Sequence, residues 1–310
     1  PHVVLCRRPL SDRGRDEERS CVIYLDAAAT RASLSMPDAI EAMRVAFTED
    51  AETPLRTPLG ASMFMPGRVG DVTAIKVVST VPGNPVGLVA VFDAEGNPLG
   101  IADGPTLTAI RTGAVAGLAT ELLAPESAST LAMLGAGAMA FDQVEAVRAV
   151  RGLNRILVWS RNRAHAEKLA ERVGGEAVDR ADDAVRESEI ISCATPATHP
   201  LFDPDVVREG AHINAVGAFR PDMVEVHRDA VERAYVVVDD YDAAAAEAGD
   251  LIQAGRTPNA SLREVLAGTH PAIGEDLTLF KSVGVAAQDV TAGHAALLKA
   301  RATGQGVELG

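Results

Sequence analysis

The stretch Leu131-Ala132-Met133-Leu134-Gly135-Ala136-Gly137-Ala138-Met139-Ala140 constrains this chain more than any other. Four apolar residues in a row read as a buried strand, and two glycines follow it at the spacing of a tight turn into a helix. A helix that starts directly after such a turn leaves backbone N–H groups without intrahelical partners, and with no side chain in the way they can bind a pyrophosphate. Ala140, the third small residue of the pattern, lets helix and strand pack closely. Ala/Gly-rich turns recur by chance, so the weight of the motif comes from what surrounds it.

After Pro125 the pattern alternates: strand 130–134, helix from Ala138, strand 155–159, helix 164–173, strand 190–193, then strands 212–216 and 235–238. Such alternation implies a parallel sheet, and the glycine turn sits inside its first βαβ unit, as a Rossmann dinucleotide-binding domain requires. The sequence ahead of it has another character. Apolar positions from Met36 mark a helix with Ser35 or Met36 near its cap and Pro37 in its first turn. Runs 73–80, 87–93 and 99–102, the last two joined by a turn at Asp93 to Pro98, predict a curled antiparallel sheet. Residues 106–123 form an apolar helix interrupted by Arg111 and Thr112, and 286–301 form a helix that packs back on the first domain. Residues before about Val22 lack periodicity and predict an edge strand or a partly ordered arm. The expected fold class is therefore α/β, a Rossmann domain at 124–286 inserted in a mixed α+β domain made of 1–123 and 287–310.

Charge and composition exclude several functions. With a formal charge of −14 and no basic stretch longer than Arg7-Arg8, the chain supplies no phosphate-neutralising stripe for nucleic acid. Cys6, Cys21 and Cys193 have no CxxC spacing, and His199, His212, His227 and His294 have no metal-ligand spacing, so no metal site is expected. Cys193, at the end of a strand, reads as a packing residue. No apolar run reaches the roughly 18 to 20 residues of a membrane span, and a cytoplasmic protein is expected.

Gly135, Gly137, Ala138 and Met139 are the candidates for the diphosphate, with Thr195 and Val216 at the ends of later strands of the same sheet. The strand after the glycine turn ends in Trp159-Ser160-Arg161-Asn162, about 20 to 25 residues on, where NAD enzymes carry an acid for the ribose hydroxyls. Ser160, Arg161 and Asn162 instead offer donors and a guanidinium for a 2′-phosphate, which predicts NADP(H) in preference to NAD(H). Lys76, in the strand-like run Thr73 to Val78, must either reach solvent by alternation or sit in a polar pocket. Arg111, on its apolar helix, must pair with a carboxylate of the chain or bind an anion.

In order, Leu107-Thr108-Ala109-Ile110-Arg111-Thr112, Leu134 to Gly137, Trp159-Ser160-Arg161-Asn162, His212-Ile213-Asn214-Ala215-Val216-Gly217, Ala248-Gly249-Asp250 and Phe280-Lys281-Ser282-Val283-Gly284 resemble the ornithine cyclodeaminase/mu-crystallin family. The resemblance covers nearly the whole chain from about Leu25. It implies a homodimer whose substrate and dimerisation domain comprises residues up to about 124 and after about 286. It also implies hydride exchange between a nicotinamide and the α-carbon of an amino acid, through an imine. By matching motifs, Arg56, Lys76 and Arg111 would bind the substrate carboxylate, with Lys76 the catalytic residue near the reacting nitrogen. Arg111 and Thr112 would also reach the cofactor, and Ser282 would lie in the segment closing over the nicotinamide.

One departure matters. The cyclodeaminases carry Gly-Asp-x-Pro-Gly-Lys after the strand, and the aspartate positions the distal amine for ring closure. Here Gly217-Ala218-Phe219-Arg220-Pro221-Asp222 puts Phe219 in that place, a substrate-pocket residue that can neither accept a proton nor attract an ammonium. Asp222 reads as the cap of a helix beginning near Met223. The expected activity is NADPH-dependent reduction of a carboxylate-bearing ketimine or cyclic imine. True ornithine cyclodeaminase, an alanine dehydrogenase-like enzyme, and an NADPH-bound protein that sequesters a small ligand remain alternatives.

Overall fold

A computed structural model describes residues 22–269 and 277–309, apart from 82, 83 and 85. The arm or edge strand expected before Val22 lies outside the described residues.

The chain begins with β1 (Val22–Leu25), α1 (Ala27–Ser33) and α2 (Met36–Thr48). Ser35 caps α2 by accepting from the Asp38 N–H, and Pro37 occupies its first turn, where a missing N–H costs nothing. Short β2 (Ala51–Glu52) and β3 (Thr57–Leu59) lead into β4 (Ser62–Val69), β5 (Val72–Ser79), β6 (Gly87–Phe92) and β7 (Pro98–Asp103), and α3 (Gly104–Leu123) follows. The second sheet then starts with β8 (Thr130–Leu134), α4 (Ala140–Val150), β9 (Arg155–Trp159), α5 (Arg163–Val173), β10 (Glu176–Ala177), α6 (Ala181–Glu187) and β11 (Ile190–Cys193). It continues through β12 (His212–Ala215), α7 (Arg228–Arg233), β13 (Tyr235–Val238), α8 (Tyr241–Glu247), α9 (Gly249–Ala254), β14 (Ala260–Ser261), α10 (Leu262–Ala267) and β15 (Thr278–Lys281). Finally α11 (Ala286–Thr303) and β16 (Val307–Leu309) return to the first sheet.

The described residues form two compact units, one within 22–111 and 286–309 and one within 112–269 and 277–285. An α/β unit is thus inserted in a mixed α+β unit, the fold class expected. The boundary falls inside α3 rather than after it. The second half of that helix carries polar groups bonded within the inserted unit: the Thr112 carbonyl accepts from Gln143 Nε2, and Arg151 Nη2 donates to the carbonyls of Thr120, Glu121 and Ala124. A composition shift at Pro125 marks where the helix stops, not where the unit starts.

In the inserted unit the strands run in the order β10-β9-β8-β11-β12-β15-β13-β14, and every pairing is parallel. Leu131 and Met133 of β8 pack with Val144 and Val147 of α4 and with Ile156, Leu169 and Ile190 in one core. Each such side chain contributes about 1.5–3 kcal/mol by leaving water. The chain runs from β8 outward through β9 to β10, then crosses back to β11 on the other side of β8. That reversal puts the topological switch point, where such sheets bind ligands, at the carboxyl ends of β8 and β11. β15 was not foreseen as a strand; it lies between β12 and β13, fully buried. Asp222 caps no helix: its carboxylate accepts from Arg220 at the surface, and the next helix starts at Arg228 with His227 as its cap. A guanidinium two residues away captures the carboxylate first.

In the outer unit the order is β16-β1-β7-β6-β5-β4-β2, with β3 on β4; β1 and β7 are parallel and the other neighbours antiparallel. One face, carrying Ala74, Val89, Val91 and Ala102, is buried and packs against α11. Gly293 of α11 allows this approach, since a Cβ there would stand 3.1 Å from Val91. The alternate residues form rows on the opposite face, Phe64–Val77–Leu88 and Pro66–Ile75–Ala90–Ile101–Tyr24, none of them fully buried.

Candidate functional site

Alternation along β5 turns Ile75 and Val77 away from α11 and aims Lys76 toward it. Lys76 Nζ lies 2.7 Å from Asp289 Oδ2, and both side chains are buried, at 3% and 1% exposure. Arg111, from α3, places Nε 3.1 Å from the other oxygen of Asp289 and donates from Nη1 to Gln288 Oε1 at 2.8 Å. Lys76 is therefore in a polar pocket rather than in solvent, and Arg111 has its intraprotein salt bridge. Neither reading of Arg111 is the whole answer, because one carboxylate faces two cations. The field of Arg56, on the β2–β3 loop, reaches Lys76 as well. Among the described residues Lys76 and Arg111 meet one carboxylate between them, a surplus of positive charge that favours a further anion, and a carboxylate suits a guanidinium fork best.

The same charges set the protonation of the cluster. Burial lowers the Lys76 ammonium to about 8, with Arg111 and Arg56 pushing the same way and Asp289 opposing them. Burial would raise Asp289, but attraction from Lys76 and Arg111 and their hydrogen bonds hold it below the usual carboxylate range. Asp289 and Gln288 were not foreseen. Their signal in the sequence is an adjacent acid and amide on an otherwise Ala/Val/Gly-rich helix face.

In the inserted unit the other candidates gather at the carboxyl edge of the parallel sheet. Gly135 follows β8 with φ +110, and a Cβ there would stand 2.8 Å from both Ala194 O and Thr195 Cγ2, so only glycine fits. Gly137 faces open space. Met139 precedes α4 and makes no side-chain cap hydrogen bond, while the Ala140 N–H donates to the Gly137 carbonyl. An uncapped helix start over a cradle that a Cβ would fill fits a diphosphate. Val216 is buried after β12, and Thr112, also buried, bonds to α4 through Gln143. After β9, Ser160 is half-buried and Arg161 exposed, while Asn162 caps α5 through its side-chain oxygen. Arg163 pairs with Glu167 and Asp179; Arg161 makes no ion pair among the described residues.

Three buried acidic groups organise the loops on this edge. Glu225, with no exposed surface, accepts from Thr195 N at 2.6 Å and Thr195 Oγ1 at 2.9 Å through one oxygen, and from Gly217 N at 2.8 Å and Ala218 N at 3.0 Å through the other. Asp250 accepts from the backbone of Glu225 and Val226, and its second oxygen lies 2.7 Å from Lys281 Nζ, which also donates to Ala218 O. Asp239 accepts from Ser282 Oγ and from the Val283 and Gly284 amides, so Ser282 is engaged within the protein. Burial pushes the carboxyls of both Glu225 and Asp239 up. Glu225 and Asp239 were missed, because an acid between loops looks like any surface acid until its donors are seen. Phe219, after β12, is 43% exposed, and Asp222 near it is held by Arg220. Among the described residues no group of three or more His, Cys, Asp or Glu side chains could hold a metal ion, and no helix is long and apolar enough to cross a membrane.

A model of the ornithine cyclodeaminase/mu-crystallin family matches residues 31–304. Ketimine reductase mu-crystallin of Mus musculus is 37% identical over 216 residues, which is 69% of this chain and 69% of that protein. Delta(1)-pyrroline-2-carboxylate reductase of Bacillus cereus is 35% identical over 322 residues, 92% of this chain and 98% of that one. Among solved structures, Thermococcus litoralis Delta(1)-pyrroline-2-carboxylate reductase in complex with NADH and L-proline superposes with a TM-score of 0.87 at 31% identity, covering 93% of this chain and 100% of its own.

Proposed function

Because the chain belongs to the ornithine cyclodeaminase/mu-crystallin family, we propose that it is an NADPH-dependent oxidoreductase that reduces a carboxylate-bearing ketimine or cyclic imine to the amino acid. The observation that carries this reading is the buried cluster in which Lys76 and Arg111 share the single carboxylate of Asp289. Arg111 and Arg56 bind the substrate carboxylate, and Lys76 is the catalytic residue. Its ammonium, lowered to about 8, retains a proton at neutral pH yet can release it to the imine nitrogen. Phe219 lines the substrate side of the loop after β12 and offers no group to hold a distal amine, which favours imine reduction over cyclodeamination.

A bound nicotinamide cofactor would supply hydride for the imine carbon. Gly135, Gly137, Ala138 and Met139 hold its diphosphate, Ser160, Arg161 and Asn162 its 2′-phosphate, and Arg111, Thr112, Thr195, Val216 and Ser282 complete the cofactor set. NADP(H) is preferred because the exposed guanidinium of Arg161 stands where an acid would select NAD(H). The protein acts as a homodimer through the apolar sheet face of Phe64, Ile75, Val77, Leu88 and Ile101, an area that a monomer would leave wet.

The test is NADPH oxidation with Δ1-pyrroline-2-carboxylate, run beside proline and ammonia release from ornithine. Imine-dependent oxidation with no release from ornithine is expected. Ammonia and proline at comparable rates would overturn the choice between the two chemistries.

A further inference from the structure

We propose that Glu225 is a positioning residue for the nicotinamide half of the cofactor, through the four hydrogen bonds by which its carboxylate fixes the loops after β11 and β12. The inference rests on the cofactor reading above. In a doubly wound sheet the two halves of a dinucleotide lie on opposite sides of the switch point. Here β9, with Ser160 to Asn162, is the adenosine side, and β11 and β12 are the nicotinamide side.

Backbone bonds hold part of the loops on that second side, Ala194 N to Leu134 O, Val216 N to Cys193 O and Val224 N to Ala197 O, and the Glu225 carboxylate takes the amides between them. Thr195, Gly217 and Ala218 lie beyond the last residues of their strands, Cys193 and Ala215, and their N–H groups find their acceptor in Glu225. The loops are also pressed together: a Cβ on Gly217 would collide with the backbone of Thr195 and with Glu225 Oε1. Glu225 is anchored from behind, since Asp250 accepts from its backbone N–H, Lys281 neutralises Asp250, and Lys281 donates to Ala218 O. The ring of bonds closes on the same loop it began from. Both carboxylate oxygens of Glu225 face donors only, so a glutamine cannot replace it without turning its amide N–H₂ toward other N–H groups.

Glu225→Gln is therefore tested by binding. Dissociation constants are measured by titration for NADPH and for adenosine 2′,5′-bisphosphate, with NADH and 5′-ADP as the parallel pair. Wild type should bind both members of a pair. E225Q should lose about tenfold or more in affinity for the reduced dinucleotide while the adenosine fragment changes by less than about twofold. Equal losses for both ligands, or no loss for either, would overturn the positioning role and leave the proposed function intact. A wild type that binds neither pair would remove both. If E225Q does not accumulate as folded protein, Glu225→Asp decides: it keeps the carboxylate but shortens its reach to the four donors. A loss of about threefold or more confined to the dinucleotide supports the role, and unchanged or parallel binding overturns it.

Discussion

Asp289 is the counter-ion on which the behaviour of Lys76 turns. Reduction of an imine consumes a proton, so if Lys76 supplies it, kcat/KM for the reductive reaction should be level below pH 8 and fall above it as Nζ deprotonates. Asp289 is the strongest influence keeping that proton in place. Asp289→Asn should therefore move the alkaline limb to lower pH, which a pH–rate profile of wild type and variant measures directly. A limb that stays put in D289N would mean that another group titrates. Lys76→Met should lower kcat/KM by about 10²–10⁴-fold with far less effect on nucleotide affinity. Lys76 and Arg111 stood out in the sequence because a charge in an apolar run demands an explanation, but only the family resemblance favoured a pocket over solvent for Lys76. Asp289 did not stand out, since it meets Arg111 across 178 residues of chain and nothing local to either announces the pairing.

The two glycines after β8 are expected to fail in different ways. Gly137→Val should abolish nucleotide binding, because the space it faces is the proposed diphosphate site, and leave the melting temperature of the nucleotide-free protein nearly unchanged. Gly135→Ala forces a side chain into a φ of +110 against the Ala194–Thr195 loop, and should cost about 1–3 kcal/mol of stability with or without nucleotide. Between β12 and β15, His212 is buried between Thr278 Oγ1 and Asn214 Oδ1, and burial lowers its imidazole to about 4. The unfolded chain would protonate this group near 6.5, so it contributes stability above that pH that is lost as the pH falls toward 4. The loss amounts to about 3 kcal/mol. His212→Gln should flatten that acid limb in denaturant titrations. At this scale the strands β8, β9, β11 and β13 were legible almost to the residue, being short apolar runs bounded by turn residues. β4 was not, because Pro66 and Gly67 break its pattern, and β15 was not, because a lysine at its end disguises a strand whose charge is neutralised by Asp250.

For the whole molecule, the apolar sheet face of the outer unit carries the expectation of a dimer. Light scattering coupled to size exclusion should report twice the chain mass, and Leu88→Asp, at a position 40% exposed, should give a folded monomer. A wild type that is monomeric at micromolar concentration would refute the dimer. The insertion of one unit into the other was legible from the switch between an antiparallel and an alternating pattern. The position of the crossing was not, since α3 runs through it without a break. The pairing of β1 with β16 has a last consequence. Val22 stands opposite Leu309 in one antiparallel ladder, so the described ends are neighbours, closer than about 6 Å between Cα atoms. Where synthesis starts is then nearly arbitrary for this architecture. A circular permutant, tied across that ladder by a few glycines and opened at the Glu95-Gly96 hairpin tip, should reach the same native state.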